Sequence, residues 1–144
     1  MIWVIAQFLV MAGVVASWHF PPHYHVTALL WAGLAVALTG VALFVWARKS
    51  LGGSFTVFPR PKPGARLVTD GPFALVRHPI YGGALLVFAG CSLAFSPGGL
   101  AATLVLALLW AWKARVEERH LAERFPEYAD YRRRVRKRLL PLVY

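Results

Sequence analysis

Two short stretches hold most of the residues whose types could do chemistry. The first is Gly71-Pro-Phe-Ala-Leu-Val-Arg-His-Pro-Ile-Tyr81. Pro79 suits the first turn of a helix, where its missing N–H costs nothing, so a helix is predicted to start at His78 or Pro79. A helix start offers free N–H groups and positive potential, which suit a carboxylate or phosphate. Arg77 stands beside it. By periodicity alone the same residues also fit an interfacial anchor, with Arg77 toward lipid headgroups and Tyr81 in an aromatic belt. The second stretch is Lys113-Ala-Arg-Val-Glu-Glu-Arg-His-Leu-Ala-Glu-Arg-Phe125. At helical spacing Glu117 shares a stripe with Trp110, Ala114, Leu121 and Phe125, flanked by Lys113 and His120. Arg115, Arg119 and Glu123 fall on the opposite side. A carboxylate on an apolar face is costly without a partner. The plainer reading is a solvated helix end with i,i+4 pairs, Lys113 with Glu117 and Arg119 with Glu123. It accounts for Glu123 better than for Glu117.

Apolar helices must carry these groups. The chain has 144 residues, 58% of them hydrophobic and 15% charged. Long apolar runs in so small a chain read as transmembrane. Four spans are predicted, at about 2–18, 26–47, 80–95 and 100–113, with a polar loop at 48–79 and a C-terminal segment at 114–144, all in a single domain. The fold class is an all-α integral membrane protein whose last two helices form a hairpin. Gln7 interrupts the first run, with Trp3 and Trp18 near its two ends. A signal peptide would need a basic start, and no Lys or Arg precedes Arg48. The loop holds Gly52, Gly53, Pro59, Pro61, Pro63, Gly64, Gly71 and Pro72, which is turn chemistry. The helical pattern of the fourth run continues to Phe125, before Pro126. At 1.5 Å per residue its 26 or so residues reach roughly 39 Å, longer than the hydrocarbon core, so it projects into the cytoplasm. The tail from Glu127 reads as polar and basic.

Charge orients the bundle. Of sixteen Lys and Arg, six lie in 48–77 and ten in 113–138, while the connections at 19–25 and 96–99 carry none. Four spans put both basic segments on one side, and the positive-inside rule makes it cytoplasmic, together with both termini. Gly83 and Gly90 are one heptad apart and share a face, so the third helix can approach another closely. The fourth, joined by a four-residue turn, is the expected partner. That packing would bring 78–81 toward Lys113 and Glu117, at one cytoplasmic cavity.

Other chemistry is weakly supported. The net charge of +10 flanks apolar spans, which favours anionic headgroups over nucleic acid. Cys91 is the single cysteine, so no internal disulfide and no cage of thiolates is possible. His19, His23 and His25 lack a shared helix face and a nearby carboxylate, which reads as an interfacial loop rather than a metal site. No Gly-x-Gly-x-x-Gly, P-loop or Cys-x-x-Cys occurs.

The segment Leu67-Val-Thr-Asp-Gly-Pro-Phe-Ala-Leu-Val-Arg-His-Pro-Ile-Tyr-Gly82, followed after a hairpin by Glu117-Glu118, Phe125, Tyr128, Tyr131 and Pro141, resembles the isoprenylcysteine carboxyl methyltransferase family. That family is related to the membrane phospholipid methyltransferases. Leu51-Gly-Gly-Ser-Phe also looks like it, and the first two spans do not. The resemblance implies S-adenosyl-L-methionine as methyl donor. It implies donor contacts from Arg66, Leu67, Val68 and Phe73, from the tetrapeptide His78, Pro79, Ile80, Tyr81, and from Glu117, with Arg77 beside them. Lys113 stands where the family commonly has an arginine linked to substrate, keeping the charge without the bidentate fork. Glu118 and His120 are candidates for acid or base work on the substrate side. Pro126 replaces a frequent glycine. The implied function is methyl transfer to a lipid-soluble or amphiphilic acceptor, at a bilayer with anionic headgroups and without nucleic acid. The small size points to a bacterial or archaeal plasma membrane. Two alternatives stay open: a membrane protein of this fold that binds lipid or a partner without catalysis, and a small transport or assembly subunit using Gln7 and the histidines.

Overall fold

The computed structural model describes residues 2–19 and 27–139. The expectations for the Trp3 side chain, for His23 and His25 and for Pro141 fall outside them. Among the described residues five α-helices form: α1 (Ile2–Ser17), α2 (Thr27–Leu51), α3 (Pro79–Phe95), α4 (Gly99–Arg124) and α5 (Tyr128–Arg134). Short 3-10 turns lie at Gly52–Ser54 and Gly71–Ala74. No strand occurs among the described residues. α2 and α4 are long and apolar enough to cross a membrane, whereas α1 and α3 are apolar and shorter, at 16 and 17 residues. Large apolar side chains stand exposed on the outer faces, among them Leu9, Trp31, Leu38, Leu104 and Leu108. Such faces suit lipid contact, and with the family membership established below they make this a membrane-associated chain.

The helix ends follow local chemistry. α2 continues past the predicted 47 because nothing breaks it before Gly52, whose positive φ turns the chain. The Arg48 guanidinium donates to the Gly52 carbonyl at 3.1 Å. α3 starts at Pro79 with His78 at the cap position. α4 stops at Arg124, where the Phe125 N–H closes the last turn on Leu121 and Pro126 follows.

The glycines of α3 face a different helix from the one expected. Gly83 and Gly90 pack on α2, not α4. A β-carbon on Gly83 would lie 2.8 Å from the Gly40 carbonyl, and one on Gly90 would lie 2.5 Å from the Gly33 carbonyl. Gly33 and Gly40 in α2 are spaced by the same heptad as Gly83 and Gly90, so the two helices meet backbone to backbone. α4 packs on another face of α3 through Leu85, Leu106 and Trp110, and α1 packs on α4. At the end of the bundle away from the basic segments, Trp18 Nε1 donates to Ser92 Oγ at 3.1 Å, tying α1 to α3.

The tail also departs from expectation. Instead of trailing as a polar segment, α5 folds back with Tyr128, Tyr131 and Val135 buried against Ala47 and Phe73. Their i, i+3, i+7 spacing puts all three on one stripe.

Candidate functional site

The site is assembled where α3 begins. The turn Gly71–Ala74 buries Phe73, and the Tyr131 hydroxyl donates to the Phe73 carbonyl at 2.8 Å. Next, the C-terminal segment runs alongside: the Arg77 N–H donates to the Lys137 carbonyl at 3.0 Å and the His78 N–H to the Arg138 carbonyl at 2.8 Å. The Ile80 and Tyr81 N–H groups, in the first turn of α3, have no acceptor within their own helix.

Arg77 is not the free cation expected at this helix start. It is buried, with Nε donating to Glu118 at 2.9 Å and Nη1 to the carbonyls of Val135 and Arg136, each at 2.7 Å. Nor is it a headgroup anchor. Glu118 is the centre of this cluster. It also accepts from Arg138 Nε at 3.0 Å and faces His78 Nε2 at 3.3 Å. Its oxygens are engaged by the chain itself, away from the wall where a substrate-side acid was expected.

Glu117 points the other way. It accepts from the Tyr81 hydroxyl at 2.5 Å, with His78 Nδ1 at 3.5 Å and Lys113 Nζ at 3.9 Å. His78 therefore lies between the two glutamates, one ring nitrogen toward each. It can donate to both only as the imidazolium. His78 stacks on Tyr81, and Tyr81 on Trp110, with centroids 5.6 and 5.2 Å apart. This column fixes the Tyr81 ring that orients Glu117.

Lys113 sits behind that column. It is buried, donating to Gln7 Oε1 at 2.8 Å and to the Val57 carbonyl at 2.9 Å, 5.3 Å from the centroid of the Tyr81 ring. It thereby ties α1, α4 and the 48–79 loop together, and it does not line the cavity described next. His120 pairs with exposed Glu123, also off that cavity.

The cavity brings together most of the residues singled out by sequence. Arg66, Leu67, Val68, Phe73, Arg77, His78, Ile80, Tyr81 and Glu117 all line it. Pro79 is buried beneath it. Two further contributors went unassigned. Residues 54–61 form an outer wall, and Tyr128 and Tyr131 of α5 close the far side. The aromatic stripe of α5 was the signal that could have found the second. Burial pushes both phenols above their ordinary pKa, so they remain protonated. The Tyr128 hydroxyl is buried and has no hydrogen-bond partner among the described residues. A buried orphan donor on a cavity wall fits a polar ligand atom.

The cavity thus offers one carboxylate, a helix start and an aromatic wall. The sequence profile of the phospholipid methyltransferase family matches residues 28–128, and the chain belongs to that family, which holds the isoprenylcysteine carboxyl methyltransferase-like membrane methyltransferases. The resemblance read from 67–82 and the paired glutamates is thus confirmed at family level. The chain is 47% identical over 72 residues to the cobalt-zinc-cadmium resistance protein CzcN of Cupriavidus metallidurans, covering 47% of this chain and 32% of that protein. It is 33% identical over 107 residues to the nickel-cobalt-cadmium resistance protein NccN of Alcaligenes xylosoxydans xylosoxydans, covering 71% and 44%. The chain spans less than half the length of these curated relatives. Among the described residues no three His, Cys, Asp or Glu side chains gather to hold a metal.

Proposed function

We propose that this chain is an integral membrane methyltransferase that uses S-adenosyl-L-methionine to methylate a lipid-soluble or amphiphilic acceptor. The observation that carries the reading is the cavity between Glu117 and Tyr128, lined by the residues of the family motif. The chain's groups fit the donor. The unpartnered Tyr128 hydroxyl can donate to one of its polar atoms, the free N–H groups at the start of α3 suit its carboxylate, and Glu117 suits its ammonium or ribose hydroxyls. Phe73, Tyr128 and Tyr131 offer aromatic surface for its base.

When bound, S-adenosylmethionine supplies a methyl group made electrophilic by its sulfonium. The work left to the protein is positioning, since in-line displacement needs two reactants held close and aligned. Tyr81 and His78 hold the Glu117 carboxylate in one orientation. Arg77, engaged by Glu118, holds the C-terminal segment against the start of α3. A carboxylate acceptor would need no base; an amine or thiol would need one.

All four long helices cross the bilayer in this reading. The two shorter ones reach only about 24–26 Å at 1.5 Å per residue, which local thinning of the bilayer accommodates. Both basic segments and both termini then face the cytoplasm, in a bacterial or archaeal plasma membrane.

Calorimetric titration of the purified protein in detergent with S-adenosylhomocysteine tests the donor site. Micromolar binding that is lost in Glu117→Gln and weakened in His78→Ala is the expected result. No binding by a well-folded sample would overturn the reading and leave a lipid- or partner-binding membrane protein of the same fold.

A further inference from the structure

Residues 54–66 face two ways. Inward, Phe55, Phe58 and Arg60 line the donor cavity. Outward, Val57 and Phe58 expose 36% and 52% of their surface. Arg60, Lys62 and Arg66 are exposed beside them. Among the described residues none of the three side chains has a carboxylate partner. Asp70 is the single acidic residue between 48 and 77.

One hydrogen bond shows the height of this segment relative to the bundle. Lys113 Nζ donates to the Val57 carbonyl, and Lys113 is the first charged residue of α4 after an uncharged run from Leu100 to Trp112. Val57 is therefore held where the apolar part of α4 gives way to charge. Trp46 and Trp112, both with exposed rings, mark the same boundary on α2 and α4.

We infer that the 54–66 segment docks on the anionic lipid surface of the membrane, with Val57 and Phe58 entering the headgroup–acyl boundary and Arg60 and Lys62 at lipid phosphates. Exposed apolar side chains at interface depth next to unpaired cations are the combination that binds such a surface. Prolines 59, 61 and 63 stiffen the segment, so contact made outside is felt on the cavity wall inside. Anionic lipid thus acts on the donor site through the residues that form its wall. The coupling to donor binding rests on the function proposed above; the docking does not.

The two parts are tested separately on the full chain. For docking, a bimane label is placed at Val57→Cys in a Cys91→Ala background, since Val57 does not line the cavity. The protein is reconstituted in nanodiscs of brominated phosphatidylcholine with or without phosphatidylglycerol. Stronger quenching with phosphatidylglycerol, reduced by Lys62→Glu and by high salt, is expected. Absent quenching, or quenching indifferent to lipid charge, overturns the docking. For the coupling, S-adenosylhomocysteine affinity of the unlabelled protein is compared in the two lipids. About fivefold tighter binding with anionic lipid is expected, the equivalent of one basic contact at such a surface. Equal affinities overturn the coupling. If the ligand binds in neither lipid while quenching follows lipid charge, the methyltransferase reading fails and the docking stands.

Discussion

Adjacent glutamates here have opposite assignments. Glu117 faces the cavity and Glu118 the chain itself, because neighbouring positions on a helix point about 100° apart. Their substitutions should separate accordingly. Glu118→Ala leaves the Arg77 guanidinium buried without its carboxylate, which should destabilise the protein by about 3–5 kcal/mol. Thermal unfolding in detergent reads this, and proteolysis after Arg134 should become faster. Glu117→Gln should unfold near the parent temperature and lose donor binding. Tyr128→Phe removes a hydroxyl that has no partner within the described chain, so ligand-free stability should hold. S-adenosylhomocysteine should then bind less tightly by about 1 kcal/mol, the net worth of one hydrogen bond. Paired thermal scans with and without the ligand check it. Glu117 was legible in the sequence because its stripe is apolar. The cluster around Glu118 was not: Arg138 lies 20 residues on in a tail whose charge concealed any pattern, and its contact depends on the chain folding back.

Among the elements, the α2–α3 seam is the least forgiving. A β-carbon on Gly40 would come within 2.6 Å of the Gly83 carbonyl, and backbone cannot rotate away as a side chain can. Gly40→Val should separate the two helices at a cost of about 1–3 kcal/mol or more. The folded yield in detergent and the unfolding temperature should both fall, whereas Gly13→Val, where a β-carbon meets nothing within 4 Å, should leave both nearly unchanged. The glycine spacing in α3 announced a close approach but could not choose its partner. The matching heptad of Gly33 and Gly40 is the discriminating signal, whereas the expectation rested on chain proximity to α4 alone. Helix ends were more readily legible, since Gly52, Pro79 and Pro126 each act through the backbone within a turn of themselves. α5 was hidden for another reason: Tyr131 runs straight into Arg132, Arg133 and Arg134, so composition argued for a solvated tail while spacing argued for a buried stripe.

For the whole molecule, segregation of charge is the strongest statement the sequence makes. It predicts that Lys62→Cys and Arg132→Cys, each in a Cys91→Ala background, are labelled from the same side of sealed membranes. Gly98→Cys should be reached only from the other. Labelling of 62 and 132 from opposite sides would remove the four-crossing arrangement. The helices were legible as apolar runs because lipid-facing and core-facing residues are both apolar. For the same reason the order in which they pack was not: a run that is apolar all round carries no stripe to show which neighbour it meets. The cavity depends on that order, with α3 meeting α2 on one face and α4 on another.

The fastening of residues 135–138 to Arg77, His78 and Glu118 sets a timetable for biosynthesis. The start of α3 leaves the ribosome first, and the groups that fasten it and the tyrosines that wall the cavity follow some fifty to sixty residues later in the chain. A nascent chain arrested after α4 would have α1 to α4 available for insertion and no finished pocket. Ligand binding would then be acquired late, in one step, when the C-terminal segment emerges and folds back.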